Sequence, residues 1–177
     1  NTYAERLYLP AAREGKRLTV QEARQRAKER LEARTRLVEQ LTAGTGQAIR
    51  VEAGRKVVVA GCRFARLGGT AVTIEGSENA VRSSDFHDLA LGAIAVSGGD
   101  RASLQPGSNV VDNNHIHHFS RWVRPYQYAI SVDGVAQTIS HNLVHDAPQE
   151  AMRFSGNEHL FEYNEIHTVT TETGDSG

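Results

Sequence analysis

Glu150 and Glu172 stand 22 residues apart, and so do Arg153 and Asp175. If one structural turn takes that many residues, each pair lies on adjacent turns, with Asp146 close by on the lower one. Two carboxyl groups facing one gap can cleave a glycosidic bond. One protonates the leaving oxygen while the other attacks or activates water; a separation of about 5–5.5 Å suits retention and about 6.5–9.5 Å inversion. Arg153 would keep one of the two ionised. The plainer reading is a surface Arg153–Asp175 ion pair with solvated glutamates. The stretch from Ser120 to Tyr128 holds the only Trp of the chain. Trp122, Tyr126 and Tyr128, with Arg121 and Arg124, could wall a site against which a sugar ring stacks, or pack on the structure below. The expected site is therefore Glu172, Asp175, Glu150 and Asp146 as catalytic carboxylates. Arg153, His145, His159, Asp133, Trp122, Tyr126 and Arg121 are the expected substrate contacts.

Such residues meet only if the chain repeats, and it does. Val144-His145 and Ile166-His167 are the same pair 22 residues apart, each preceded two positions earlier by Asn142 or Asn164. Asn114 with Ile116-His117, and Ser84 with Phe86-His87, extend the series backward, and Cys62 with Phe64 is a degenerate first copy. A second marker agrees: Ile74, Val96, Val132 and Phe154 each lie two residues before a Gly, at intervals of 22, 36 and 22. The longer intervals coincide with inserts at 98–107 and 120–126. Apolar residues alternate around the markers, which is the period of a strand with one buried face. Two short strands per 22 residues cannot form sheets alone, so each must pair in parallel with its equivalent one turn on, as in a solenoid. Val72, Ile94, Ile130, Met152 and Ile74, Val96, Val132, Phe154 would point inward. Asn114, Asn142 and Asn164 would form an amide ladder.

On that ruler His87, His117, His145 and His167 form a column, with His115 beside His117 on one strand face. Asp85, Asp88, Asp146 and Glu165 lie near by position, which opens a metal-site reading. A column over four coils spreads its nitrogens too evenly for one ion, however, and solenoids commonly stack polar side chains. The column reads as structural or groove-lining, and no metal is expected.

The pattern resembles the right-handed parallel β-helix over roughly Val57 to Gly177. NNHIHHF, SHNLVHDAP, SGNEHLFEYNEIH and ETGDSG, in that order, resemble bacterial β-helix glycoside hydrolases of the fucosidase, xylanase and β-xylosidase type. The resemblance implies an all-β solenoid acting on polysaccharide or oligosaccharide, secreted or periplasmic, without a cofactor. Calcium would enter only if the chain were a polysaccharide lyase of the same fold. All three Lys (Lys16, Lys28, Lys56) precede the coils, which weakens the lyase reading, since a lyase needs a base and a neutraliser of the uronate. A non-catalytic glycan-binding or structural β-helix is the third reading.

Residues 1–56 carry 13 of the 20 Lys and Arg but 7 of the 21 Asp and Glu. The coils are therefore acidic, which argues against a nucleic-acid groove. No apolar run long enough for a membrane span occurs, and no signal peptide is present in this chain. Residues 1–50 read as an irregular segment followed by an amphipathic helix from Val20 to about Thr42, introduced by the capping box of Thr19 and Glu22. The helix would cap the first coil. Residues 51–177 read as the coils, incomplete at the C-terminal end, where an open coil would favour a homo-oligomer or packing on another chain.

Overall fold

The computed structural model describes residues 47–172 and, ahead of them, Gln21, Glu22, Arg24, Gln25, Lys28 and Glu29. The chain divides into two compact units, Asn1–Gly44 and Thr45–Gly177. In the first, those six residues are helical, and the Gln25 amide donates to Glu29 one turn on at 2.9 Å. The rest of the expected helix, and its capping role, lie outside the described residues. No helix among the described residues is long and apolar enough to cross a membrane.

The described residues of the second unit form a stack of five coils, each with three main strands. The first holds β1 (Ile49–Arg55), β2 (Val58–Ala60) and β3 (Arg63–Ala65), and the second β4 (Val72–Ser77), β5 (Ala80–Arg82) and β6 (Asp85–His87). The third holds β7 (Ile94–Asp100), a short extra strand β8 (Gln105–Pro106), β9 (Val110–Asp112) and β10 (His115–His117). The fourth is β11 (Ile130–Gly134), β12 (Thr138–Ser140) and β13 (Leu143–His145); the fifth is β14 (Met152–Phe154), β15 (Leu160–Glu162) and β16 (Glu165–His167). Equivalent strands pair in parallel into three sheets, β1-β4-β7-β11-β14, β2-β5-β9-β12-β15 and β3-β6-β10-β13-β16.

The coil therefore has three strands where the sequence suggests two. The unexpected strand is the second of each coil, joined to the strand that carries the apolar-His marker by a short corner. That corner turns on one residue in the left-handed region: Gly61, Ser83, Asn113, His141 and Tyr163, with φ between 50° and 64°. The corner after the third strand does the same with Arg66, Asp88, His118, Asp146 and Thr168. That conformation costs roughly 1–2 kcal/mol for a residue with a Cβ. Corner amides offset it by bonding to the neighbouring coil, as Ser83 N does to Asp112 O at 3.1 Å and His118 N to Asp146 O at 3.1 Å.

The registers match the sequence ruler. Val72, Ile94, Ile130 and Met152 are consecutive partners, as are Ile74, Val96, Val132 and Phe154. The first three of each set are buried. Phe154 shares their face but is 65% exposed, because β14 is paired on one side only among the described residues. Two further inward columns, Val59-Val81-Val111-Ile139 and Phe64-Phe86-Ile116-Val144, complete the core. The expected amide ladder is present: Asn114 N donates to Asn142 Oδ1 at 3.1 Å and Asn142 N to Asn164 Oδ1 at 3.0 Å. Of the two inserts, the first folds β8 antiparallel onto the end of β7. The second, after β10, is pinned by the buried Ser120, whose hydroxyl donates to Val123 O and Arg124 O.

Candidate active site at the third corner

The second insert leaves the corner between the third and first sheets and overhangs the coils on either side. Trp122 N donates to Ala90 O at 3.2 Å, tying the loop to the coil below. Beneath it lies an open cavity of about 510 Å³, lined by Arg121, Trp122, Arg124, His118, Asp146 and Glu172, among others. Asp146 comes from the corner residue after β13, where a left-handed φ of 52° is well tolerated by Asp. Glu172 comes from the next coil and ion-pairs with Arg124. Arg121 reaches the other way, to Asp88 Oδ1 at 2.5 Å.

Within the cavity lining, the Asp146 carboxyl is held down by its neighbours. His145 Nδ1 lies 2.9 Å from its carboxylate. That hydrogen bond, with the added field of His145, His118 and His167, holds the carboxyl below its usual range despite some desolvation. Asp88 is held down in the same way, first by its hydrogen bond from His87 and then by Arg121.

The structure thus unites Glu172, Asp146, Trp122 and Arg121 in one cavity and distributes the other expected residues. Glu150 and Arg153 line a second cavity of about 480 Å³ with Tyr128, whose ring centroid lies 6.0 Å from the Arg153 guanidinium. Glu172 does not face Glu150 across the coils as the 22-residue spacing suggests: its amide bonds Pro148 O at 3.1 Å. The corner carries left-handed Thr168 and Thr170. Asp133 stands on the outer face of the first sheet. It accepts from the Ser155 hydroxyl at 2.9 Å and its neighbour's Gly134 amide, which hold its carboxyl down. Tyr126 is 74% exposed and outside the cavity lining, its amide donating to Gln149 Oε1 at 3.1 Å. Asp175 lies outside the described residues.

His159, expected to reach the groove, instead ends a ladder the sequence reading missed. Asn79 N donates to Asn109 Oδ1 at 3.0 Å, Asn109 N to Gln137 Oε1 at 3.0 Å, and Gln137 N to His159 Nδ1 at 3.1 Å. With His159 Nε2 2.9 Å from Ser155 O, both ring nitrogens are engaged by backbone. Its rungs are Asn, Asn, Gln and His, so only their intervals of 30, 28 and 22 residues, the same as those of the His column, could have revealed it. Arg124 was placed in the aromatic wall but not as the partner of Glu172, which the insert brings to it from 48 residues away.

The His column is as expected. His87, His117, His145 and His167 stack at centroid distances of 5.3, 5.1 and 4.9 Å, nearly parallel. Burial first, then the neighbouring His115 and His118, push the His117 imidazole below its usual value. On the middle sheet, Ser140 and His141 both bond Asp112 Oδ1, at 2.8 and 3.0 Å. They share an acceptor, so this is not a nucleophile–base arrangement.

Three stacked parallel sheets with inward apolar columns and polar ladders at the corners define the parallel β-helix class. Residues 47–168 match the family described as right handed beta helix region, more than half of the 177-residue chain. The chain belongs to that family. Neither a curated protein nor a solved structure shows a significant match to it.

Proposed function

We propose that this β-helix acts on polysaccharide or oligosaccharide as a glycoside hydrolase, with Asp146 and Glu172 as its carboxyl pair. One observation carries the reading: these two residues, from successive coils, share one open cavity with Trp122, Arg121 and Arg124. A flat indole edged by cations and carboxylates suits a sugar ring, with an apolar face to stack and hydroxyls to bond. Asp146, held ionised by His145, is the nucleophile or base. Glu172 delivers a proton to the leaving oxygen after Arg124 has turned from it to the substrate and the freed carboxylate has taken up that proton from water. Such substrates are met outside the cytoplasm, so the reading carries a secreted or periplasmic location with it.

The test is reducing-sugar release from plant and algal glycans. Asp146→Asn and Glu172→Gln should each lower turnover by about 10²–10⁴-fold, the usual worth of a positioned acid or base, with the melting temperature nearly unchanged. Activity unchanged in both variants would remove the pair from the site. Product absorbing in the ultraviolet would mean a new double bond and a lyase instead. A wild type that binds a glycan but never cleaves one would leave the binding-module reading.

A further inference from the structure

The outer face of the third sheet carries a cluster that the carboxyl pair does not use. β6, β10 and β13 set Asp85 against His115 and Leu143 in one row, and His87 against His117 and His145 in the next. The hydrogens of this cluster follow from its partners. Asp146 can only accept, so His145 donates from Nδ1 and a neutral ring has a bare Nε2. The 2.8 Å contact between His145 Nε2 and His115 Nε2 is therefore donated by His115, which leaves His115 Nδ1 bare. That nitrogen lies 3.3 Å from Asp85 Oδ1. On the other side, His117 Nδ1 shares a hydrogen with His118 Nδ1 at 2.7 Å, and His117 Nε2 stands 3.7 Å from the same Asp85 Oδ1. Asp85 Oδ1 is shut off from solvent and has no hydrogen-bond partner. Its other oxygen faces Arg63 at 3.7 Å and His87 at 3.9 Å.

With His117 as the donor to His118, lone pairs on one carboxylate oxygen and two imidazole nitrogens converge with no hydrogen between them, an arrangement that a cation at the centre relieves. We propose that Asp85, His115 and His117 bind one divalent first-row transition ion, zinc foremost. Zinc bonds of roughly 2.0–2.2 Å put tetrahedral ligand atoms about 3.3–3.6 Å apart, against 3.3 and 3.7 Å on the two edges at Asp85. All three ligand atoms lie within 4.8 Å of one another, and His115, with 43% of its side chain exposed, has room to close the remaining edge by a small ring rotation. The second nitrogens of both histidines are already engaged, by His145 and His118, which is the support that orients metal-binding imidazoles. His87 is excluded because Arg63 donates to its Nε2 at 2.9 and 2.8 Å while its Nδ1 faces Asp88. This departs from the expectation of no metal, which treated the column as evenly spaced. His115 and Asp85 lie in the neighbouring row and break that evenness. The site does not rest on the glycosidase reading, although the relay Asp146–His145–His115 runs from the cavity to it.

The test is calorimetric titration of the untagged, chelator-treated 177-residue chain with zinc chloride, together with visible absorption after adding cobalt(II). One ion per chain is expected, with the intense cobalt bands of a four-coordinate site. Asp85→Asn, which keeps the side-chain shape, and His115→Ala should each weaken zinc at least about tenfold, with circular dichroism confirming the fold. His167→Ala, in the same column but outside the trio, should leave affinity unchanged. Absence of zinc binding in the wild type would overturn the proposal. So would affinity that survives both Asp85→Asn and His115→Ala, or that falls equally with His167→Ala, since either would assign the binding to the column at large.

Discussion

Single side chains in this protein do work that their neighbours on adjacent coils define. Asp133 illustrates it: the Ser155 hydroxyl comes from the next coil, and with the Gly134 amide it holds the Asp133 carboxyl below the usual range. A carboxyl depressed in the folded state adds stability that is fully present above the unfolded value, about 3.9 for Asp. That contribution is lost as pH falls through the folded value. The denaturant midpoint of the wild type should therefore drop between pH 6 and pH 3 more than that of Asp133→Asn. Equal slopes in the two proteins would show that the Ser155 bond does not form in solution. In the core, Phe86 is fully buried and stacked on Phe64 with centroids 4.8 Å apart. Phe86→Ala should cost about 3–5 kcal/mol, read from the same denaturation curves.

At the scale of elements, the coils approach closely where the first sheet ends, and the glycines found by the sequence ruler are there for that reason. Gly134 has φ 97°, and a Cβ on it would overlap the carbonyl oxygen of Gly98 on the coil below. Gly134→Ala should cost at least about 2 kcal/mol, the left-handed penalty with the clash added. The amide ladder makes a comparable demand. Asn142 is buried; its Oδ1 accepts from Asn114 N while its Nδ2 donates to Val111 O at 2.9 Å. Asn142→Ala leaves the buried Asn114 N without its acceptor, at about 1–3 kcal/mol, and removes the added donor to Val111 O, whereas Asn142→Asp restores the acceptor and should recover part of the loss. A melting temperature unmoved by Asn142→Ala would mean that water replaces the rung.

Among the described residues, the strands of each coil pair only with those of the coils beside it, and one apolar cluster runs through all of them. Five coils are few enough to unfold together. Trp122, the only Trp, sits on the insert over the third corner, so its fluorescence and far-ultraviolet circular dichroism should give the same denaturant midpoint. An earlier fluorescence transition would show the insert opening ahead of the coils, and the cavity with it.

The period, the His column, the Asn ladder and two of the inward columns were legible in the sequence because parallel pairing makes residues one period apart into neighbours, so like residues recur at the pairing interval. What recurs in kind can be read. The second strand of each coil could not, because the corner beside it turns on one residue whose type varies from Gly to Ser, Asn, His and Tyr. The ladder of Asn79, Asn109, Gln137 and His159 escaped for the same reason, since any side chain that accepts a backbone hydrogen can serve as a rung. The pairing of Glu172 with Arg124 and Asp146, not Glu150, was decided by the tertiary structure alone. Glu172 bonds Pro148 through its amide at the last corner, and the insert carries Arg124 over the cavity from a distance that no period encodes.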